Sequence, residues 1–121
     1  MWFALSPIQM GGSAGYVIIN GNSMEPLYHS GDLVIVRRSN VYEIGNITAY
    51  LHPNIGVVIH RIIKQDGTRF VLKGDNNSWI DSYSPTPEEI VGKAEIWIPQ
   101  AGKVLEQVRT PNALASVTIL L

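Results

Sequence analysis

The 121-residue sequence contains no cysteine, which removes thiol catalysis, disulfide bridges and thiolate metal sites together and leaves the redox compartment open. Charge is also scarce. Charged side chains make up 16%, below the usual quarter, and nine basic residues against ten acidic leave a net charge of -1. The longest cationic run is Arg37-Arg38, so nucleic acid is not an expected partner. A surface this low in charge suits a protein that works beside a membrane or a partner.

Long apolar runs are missing as well. Residues 1–19 are interrupted by Pro7, Gln9 and Gly11-Gly12 and lack a basic start, so neither a signal peptide nor a spanning helix fits them. The end, "NALASVTILL", reads as a final strand or as the first turns of a membrane helix. Helix signals are few: "TPEEIV" (86–91) has a cap and an acidic first turn, and "KVLEQV" (103–108) is long enough for one further turn.

What the sequence has in quantity is strand pattern. "YVIIN" (16–20), "DLVIVRR" (32–38), "NITAYL" (46–51), "GVVIHRIIK" (56–64), "RFVLKG" (69–74) and "VGKAEIWIP" (91–99) are rich in Val, Ile and aromatic residues. Turn residues separate them, and "IIKQDGTRFVL" predicts a hairpin with Asp66-Gly67 at its tip. With 45% hydrophobic residues and no repeat or linker, the expectation is one mainly-β domain over residues 1–121. Its core spans 16–99, and long loops at 21–31 and 74–90 are where a site would sit.

The first of those loops holds Ser23, between Asn22 and Met24, with Pro26 three residues on. A serine hydroxyl becomes a useful nucleophile only when a base removes its proton. His29 and His52 lie in loop contexts, whereas His60 lies in a strand pattern, on the side of Val58 and Ile62 and opposite Ile59 and Arg61. Taken alone, such a histidine is more often a core residue bonded to a carbonyl than a base. A base of this kind also needs a carboxylate to orient it. Asp75 stands in turn chemistry and suits holding a loop; Asp81 follows Trp79 and Ile80, and burial beside an imidazole favours it as the orienting acid. The three histidines and the aspartates lack any local metal-ligand spacing, and no cofactor is expected.

Together, "GNSMEP" with "GDLVIV", then "HRI", then "LKGDNN" with a later Asp, resemble the type I signal peptidases, in the branch of archaea, the endoplasmic reticulum and some bacteria. The resemblance covers residues 16–99. It implies a β-rich serine endopeptidase that removes signal peptides from secretory precursors after small residues. It implies Ser23 as nucleophile, His60 as base, and Asp75 and Asp81 as the acidic residues, without metal. Its partners would be signal peptides and a membrane lipid surface, at the cell membrane with the catalytic domain on the extracytoplasmic side. Met24 and Pro26 would lie near substrate or membrane.

Departures from the pattern are local. The family often has a serine two residues before the nucleophile, where Gly21 stands here, so the Ser23 N–H and Asn22 are the candidates for an oxyanion hole. The family's membrane anchor ahead of the serine is reduced to "WFALSPI", with Trp2 and Phe3 suited to a headgroup layer or to packing across a sheet. Two rivals follow. One is an inactive relative that binds signal-like peptides or a membrane complex. The other is a self-cleaving repressor-type protease with a lysine base, for which Ala14-Gly15 lies only eight residues before Ser23.

Overall fold

Side chains that alternate between two apolar faces require a sheet covered on both sides, and among the described residues seven strands satisfy this. The computed structural model describes residues 5–9 and 13–107. The strands are β1 (Leu5–Gln9), β2 (Ser13–Ile18), β3 (Leu33–Arg37), β4 (Ile47–His52), β5 (Gly56–Asp66), β6 (Arg69–Lys73) and β7 (Ile90–Ile98). They form one antiparallel sheet in the order β1-β2-β3-β7-β4-β5-β6. The mainly-β expectation holds, and each predicted strand lies within two or three residues of an observed one.

Three differences have physical causes. β1 was not among the expected strands; it is an edge strand, where Pro7, a residue without an N–H, is tolerated. The β5–β6 hairpin turns through Gly67-Thr68, one residue later than expected, because Asp66 still pairs with Arg69 and Gly67 takes the positive φ of 63°. "TPEEIV" yields only a 3-10 turn at Pro87–Glu89, in which the Glu89 carboxylate reaches back to the Thr86 N–H at 2.9 Å. "KVLEQV" falls largely within helix α1 (Ala101–Gln107). Trp2, Phe3 and the "NALASVTILL" end lie outside the described residues.

Apolar side chains divide between the faces as strand parity requires. Val17, Ile19, Val34, Val36, Ala49 and Ile59 pack with Met24 and Tyr28. Tyr16, Ile18, Leu33 and Ile35 gather under Leu105 of α1. A third cluster holds Tyr50, Val58, Ile62, Phe70, Leu72 and Ile90. Register shifts at Ile35/Val36 and Ala49/Tyr50 each leave an extra residue on β7, the central strand, and such bulges bend and twist the strand that carries them.

One buried charge ties the loop after β2 to the end of β7. Asp32 is 1% exposed. Its Oδ2 accepts from the His29 N–H and Trp97 Nε1–H, both at 2.8 Å, and its Oδ1 from the Gln100 N–H and Nε2–H, both at 2.9 Å. Burial alone would raise this carboxyl, but the donors outweigh it and its pKa is lowered. A lowered folded pKa adds stability that is fully present above the unfolded value of about 3.9 and is lost as pH falls through the folded value. Asp32→Asn is therefore expected to cost about 2–3 kcal/mol in urea unfolding near pH 7. Its deficit relative to wild type should shrink on acidification below about pH 4; a deficit constant with pH would contradict the charge's role.

Candidate active site

Ser23 owes its position to its neighbour. Met24 is 1% exposed and packed in the sheet's core, a burial that stabilises by roughly 1.5–3 kcal/mol. This corrects the expectation that Met24 faces substrate or membrane; a long, flexible thioether fills a gap beneath the loop instead. The loop is closed by Ile19 N–H to Asp32 O at 2.9 Å and Gly31 N–H to Ile19 O at 2.8 Å. With Met24 pinned inward, Ser23 is half-buried, while Asn22 and Pro26 are exposed.

The loop after β6 meets it from the other side. The Asn76 N–H donates to Ser23 O at 2.8 Å, and Asn76 Nδ2 donates to Asn22 O at 3.1 Å. Glycine is required at position 74, because a Cβ there would lie 2.7 Å from Ser23 O, 2.8 Å from Asn77 Nδ2 and 3.0 Å from Ser23 Cβ. The Ser23 N–H makes no hydrogen bond among the described residues.

His60 lies on β5, 6% exposed, on the side of Val58 and Ile62. Its Nε2 is 2.9 Å from Ser23 Oγ, and its Nδ1 is 2.8 Å from each oxygen of Asp81. An ionised carboxylate only accepts, so the ring proton belongs on Nδ1 and the Nε2 lone pair faces the serine hydroxyl. Asp81 is fixed by its own N–H, which donates to Leu72 O at 2.8 Å, and by Tyr50, whose hydroxyl donates to Oδ2 at 2.8 Å. Burial first, and then the Asp81 charge, push the Tyr50 phenol far above its ordinary value, so it remains a donor. Beside these groups opens a cleft of about 260 Å³, walled by Ile55, Val58 and Trp79 with His52, Asn77 and Ser82 on its polar side.

Asp75 is elsewhere. It forms a bidentate pair with Arg61, Nε to Oδ1 and Nη2 to Oδ2 both at 2.9 Å, while Arg61 Nη1 donates to Gly45 O at 2.8 Å. The Arg61 hydrogen bonds hold the Asp75 carboxyl below its usual range despite partial burial. The geometry thus brings Ser23, His60 and Asp81 together and leaves Asp75 holding the loop. His29 is exposed, 3.5 Å from Glu25, and no lysine hydrogen-bonds Ser23 among the described residues. Tyr50 and the steric role of Gly74 were not read from the sequence. Strand parity puts Tyr50 on the His60 side, but nothing local links it to an acid 31 residues on.

The family model described as Peptidase S24-like matches residues 2–95. The chain belongs to that family. Among curated proteins it is similar to the signal peptidase complex catalytic subunit sec11 of Penicillium rubens, with 31% identity over 86% of this chain and 67% of the relative. It is also similar to the SEC11 subunits of Colletotrichum graminicola, at 29% identity over 86% and 69%, and of Lachancea thermotolerans, at 29% over 85% and 70%. These matches put the chain in the type I signal peptidase family, in the endoplasmic-reticulum-type branch, and make it a protease by kinship.

In this peptidase the two acids are separable. Asp75→Asn is expected to raise amide exchange at Asn76 and Asn77 by about tenfold, since a charge-assisted pair is lost, and to leave the His60–Asp81 hydrogen bond in place. Hydrogen exchange with imidazole proton spectra checks both; loss of the His60 signal in Asp75→Asn would overturn the division.

Proposed function

We propose that the chain is a serine endopeptidase that removes signal peptides from secretory or membrane precursors by cutting after small residues. The observation that carries this reading is the continuous hydrogen-bonded line from Ser23 Oγ to His60 Nε2, at 2.9 Å, and from His60 Nδ1 to Asp81, at 2.8 Å. The names of the relatives support the substrate class.

Chemistry follows from the line. Ser23 Oγ attacks the scissile carbonyl as its proton passes to His60 Nε2, and the ionised Asp81 stabilises the imidazolium that results. The free Ser23 N–H supplies one donor to the oxyanion, with the exposed Asn22 beside it as the candidate second. Collapse of the tetrahedral intermediate breaks the C–N bond, and His60 returns its proton to the leaving amine. His60 then takes a proton from water, the hydroxide attacks the acyl-enzyme, and Ser23 leaves with the proton restored to it.

The cleft beside His60 is where the residues ahead of the cut would lie. Trp79 and Ile80, 64% and 54% exposed near its mouth, suit a lipid headgroup layer. They support action at a membrane surface. Among the described residues no helix is long and apolar enough to cross one.

Ser23→Ala and His60→Ala are each expected to lower cleavage of a signal-like peptide with Ala at −3 and −1 by at least about 10³-fold, assayed in detergent or lipid. Asp81→Asn should lose a comparable factor through the wrong imidazole tautomer. Cleavage that survives Ser23→Ala would sink the reading. Gly21, in place of the family's frequent serine, favours a second one: an impaired module that binds signal-like peptides. It predicts binding by wild type and Ser23→Ala alike, without a cut.

Gly74→Ala gives an independent test. The new Cβ must displace Ser23 or the loop, and a shift near 1 Å at a reacting atom costs on the order of 10² in rate. The expected result is a hundredfold fall in kcat with the β-sheet circular dichroism unchanged.

A further inference from the structure

We propose that Tyr50 is a positioning residue that sets the angle of the His60 imidazole by holding the plane of the Asp81 carboxylate. The inference rests on the catalytic reading above and adds a fourth member to its hydrogen-bonded line. Both Asp81 oxygens lie 2.8 Å from His60 Nδ1, so this contact alone does not choose between them. The main-chain bond from Asp81 N–H to Leu72 O fixes the backbone but leaves the carboxylate free to rotate about its bond to Cβ. The Tyr50 hydroxyl, 2.8 Å from Oδ2, removes that freedom by claiming one oxygen.

Tyr50 is suited to this because it cannot itself move. It is 0% exposed in the middle of β4, opposite Val58 of β5 and Ile90 of β7. Its ring stacks on Tyr83 with centroids 6.4 Å apart and 16° between planes, a contact of the rings alone. The ring of His52 packs against both. Phenylalanine would fill the same volume among Val58, Ile62, Leu72 and Ile90, so packing does not require the hydroxyl. Among the described residues the hydroxyl's one hydrogen bond is to the acid that touches His60. Asp75, whose charge also reaches His60, is paired with Arg61.

The test compares wild type, Tyr50→Phe and Tyr83→Phe by two readouts. The first is kcat and KM on the signal-like peptide. The second is the low-field proton resonance of the His60 Nδ1–H, which reports the imidazole–carboxylate bond without turnover. Tyr50→Phe is expected to lower kcat about tenfold, the scale of one hydrogen bond to a charged group, with KM within about twofold. Its Nδ1–H resonance should shift or broaden. Tyr83→Phe, which removes a neighbouring hydroxyl that points at Glu89, should leave both unchanged.

An unaltered resonance and kcat in Tyr50→Phe would overturn the proposal, as would a loss carried by KM alone or a loss of thermal stability with the resonance intact. Should that variant not fold, the wild type still decides. A slowly exchanging Tyr50 hydroxyl proton supports the assignment, and a freely exchanging one refutes it. If wild type makes no Ser23-dependent cut, the peptidase reading fails, while the resonance comparison judges Tyr50 separately.

Discussion

The hydrogen bond from the Asn76 N–H to Ser23 O, 2.8 Å long, joins the two halves of the site, and most of the local structure exists to permit it. Ser23 leaves from the end of β2, while His60 and Asp81 belong to β5 and to the loop beyond β6. In the sheet order β3, β7 and β4 stand between β2 and β5, so no strand pairing brings these groups together. The serine loop must cross that span. Met24 secures the crossing by sinking into the core, and Gly74 lets the second loop approach closer than any Cβ would allow. Asp32 holds the far end of the crossing to Trp97 and Gln100. Remove any of the three and the serine has no reason to stay opposite the imidazole.

Much of the fold was legible because strand parity is a local property. Alternation in "GVVIHRII" put His60 with Val58 and Ile62 and sent Arg61 to the other side, and the observed clusters follow that division. Position 7 shows where the same logic stops: a proline lowers strand propensity everywhere, yet the edge of a sheet has N–H groups that need no partner. The short helix near residue 88 stopped at one turn because β7 claims Ile90. Strand pairing there outweighed the capping signal.

The site was legible in its residue types and less so in their contacts. Trp79 and Ile80 argued for burial at Asp81, and its side chain is 7% exposed although both of those residues face outward. The burial comes from Tyr50 and His60 instead, which a local window does not contain. Met24, which the resemblance put near substrate or membrane, lies in the core: the turn that leaves Ser23 half-buried sends its neighbour inward.

Two aspartates six residues apart end in opposite electrostatic situations, and this division is what leaves the imidazole with a single dominant charge. Asp75 is matched by a guanidinium that makes both parallel N–H bonds and is itself tied to Gly45 O, so its negative charge is largely cancelled where it stands. Among the described residues Asp81 has no cation of its own: its carboxylate is bonded to the Tyr50 phenol and the histidine. Its field therefore remains available to the one neighbour that can become positive. Were Arg61 to turn toward Asp81, the imidazolium would lose its counter-ion and Asp75 would be left partly buried and unpaired, a cost on both sides. The adjacency of His60 and Arg61 on one strand, facing opposite ways, keeps the two ion pairs apart.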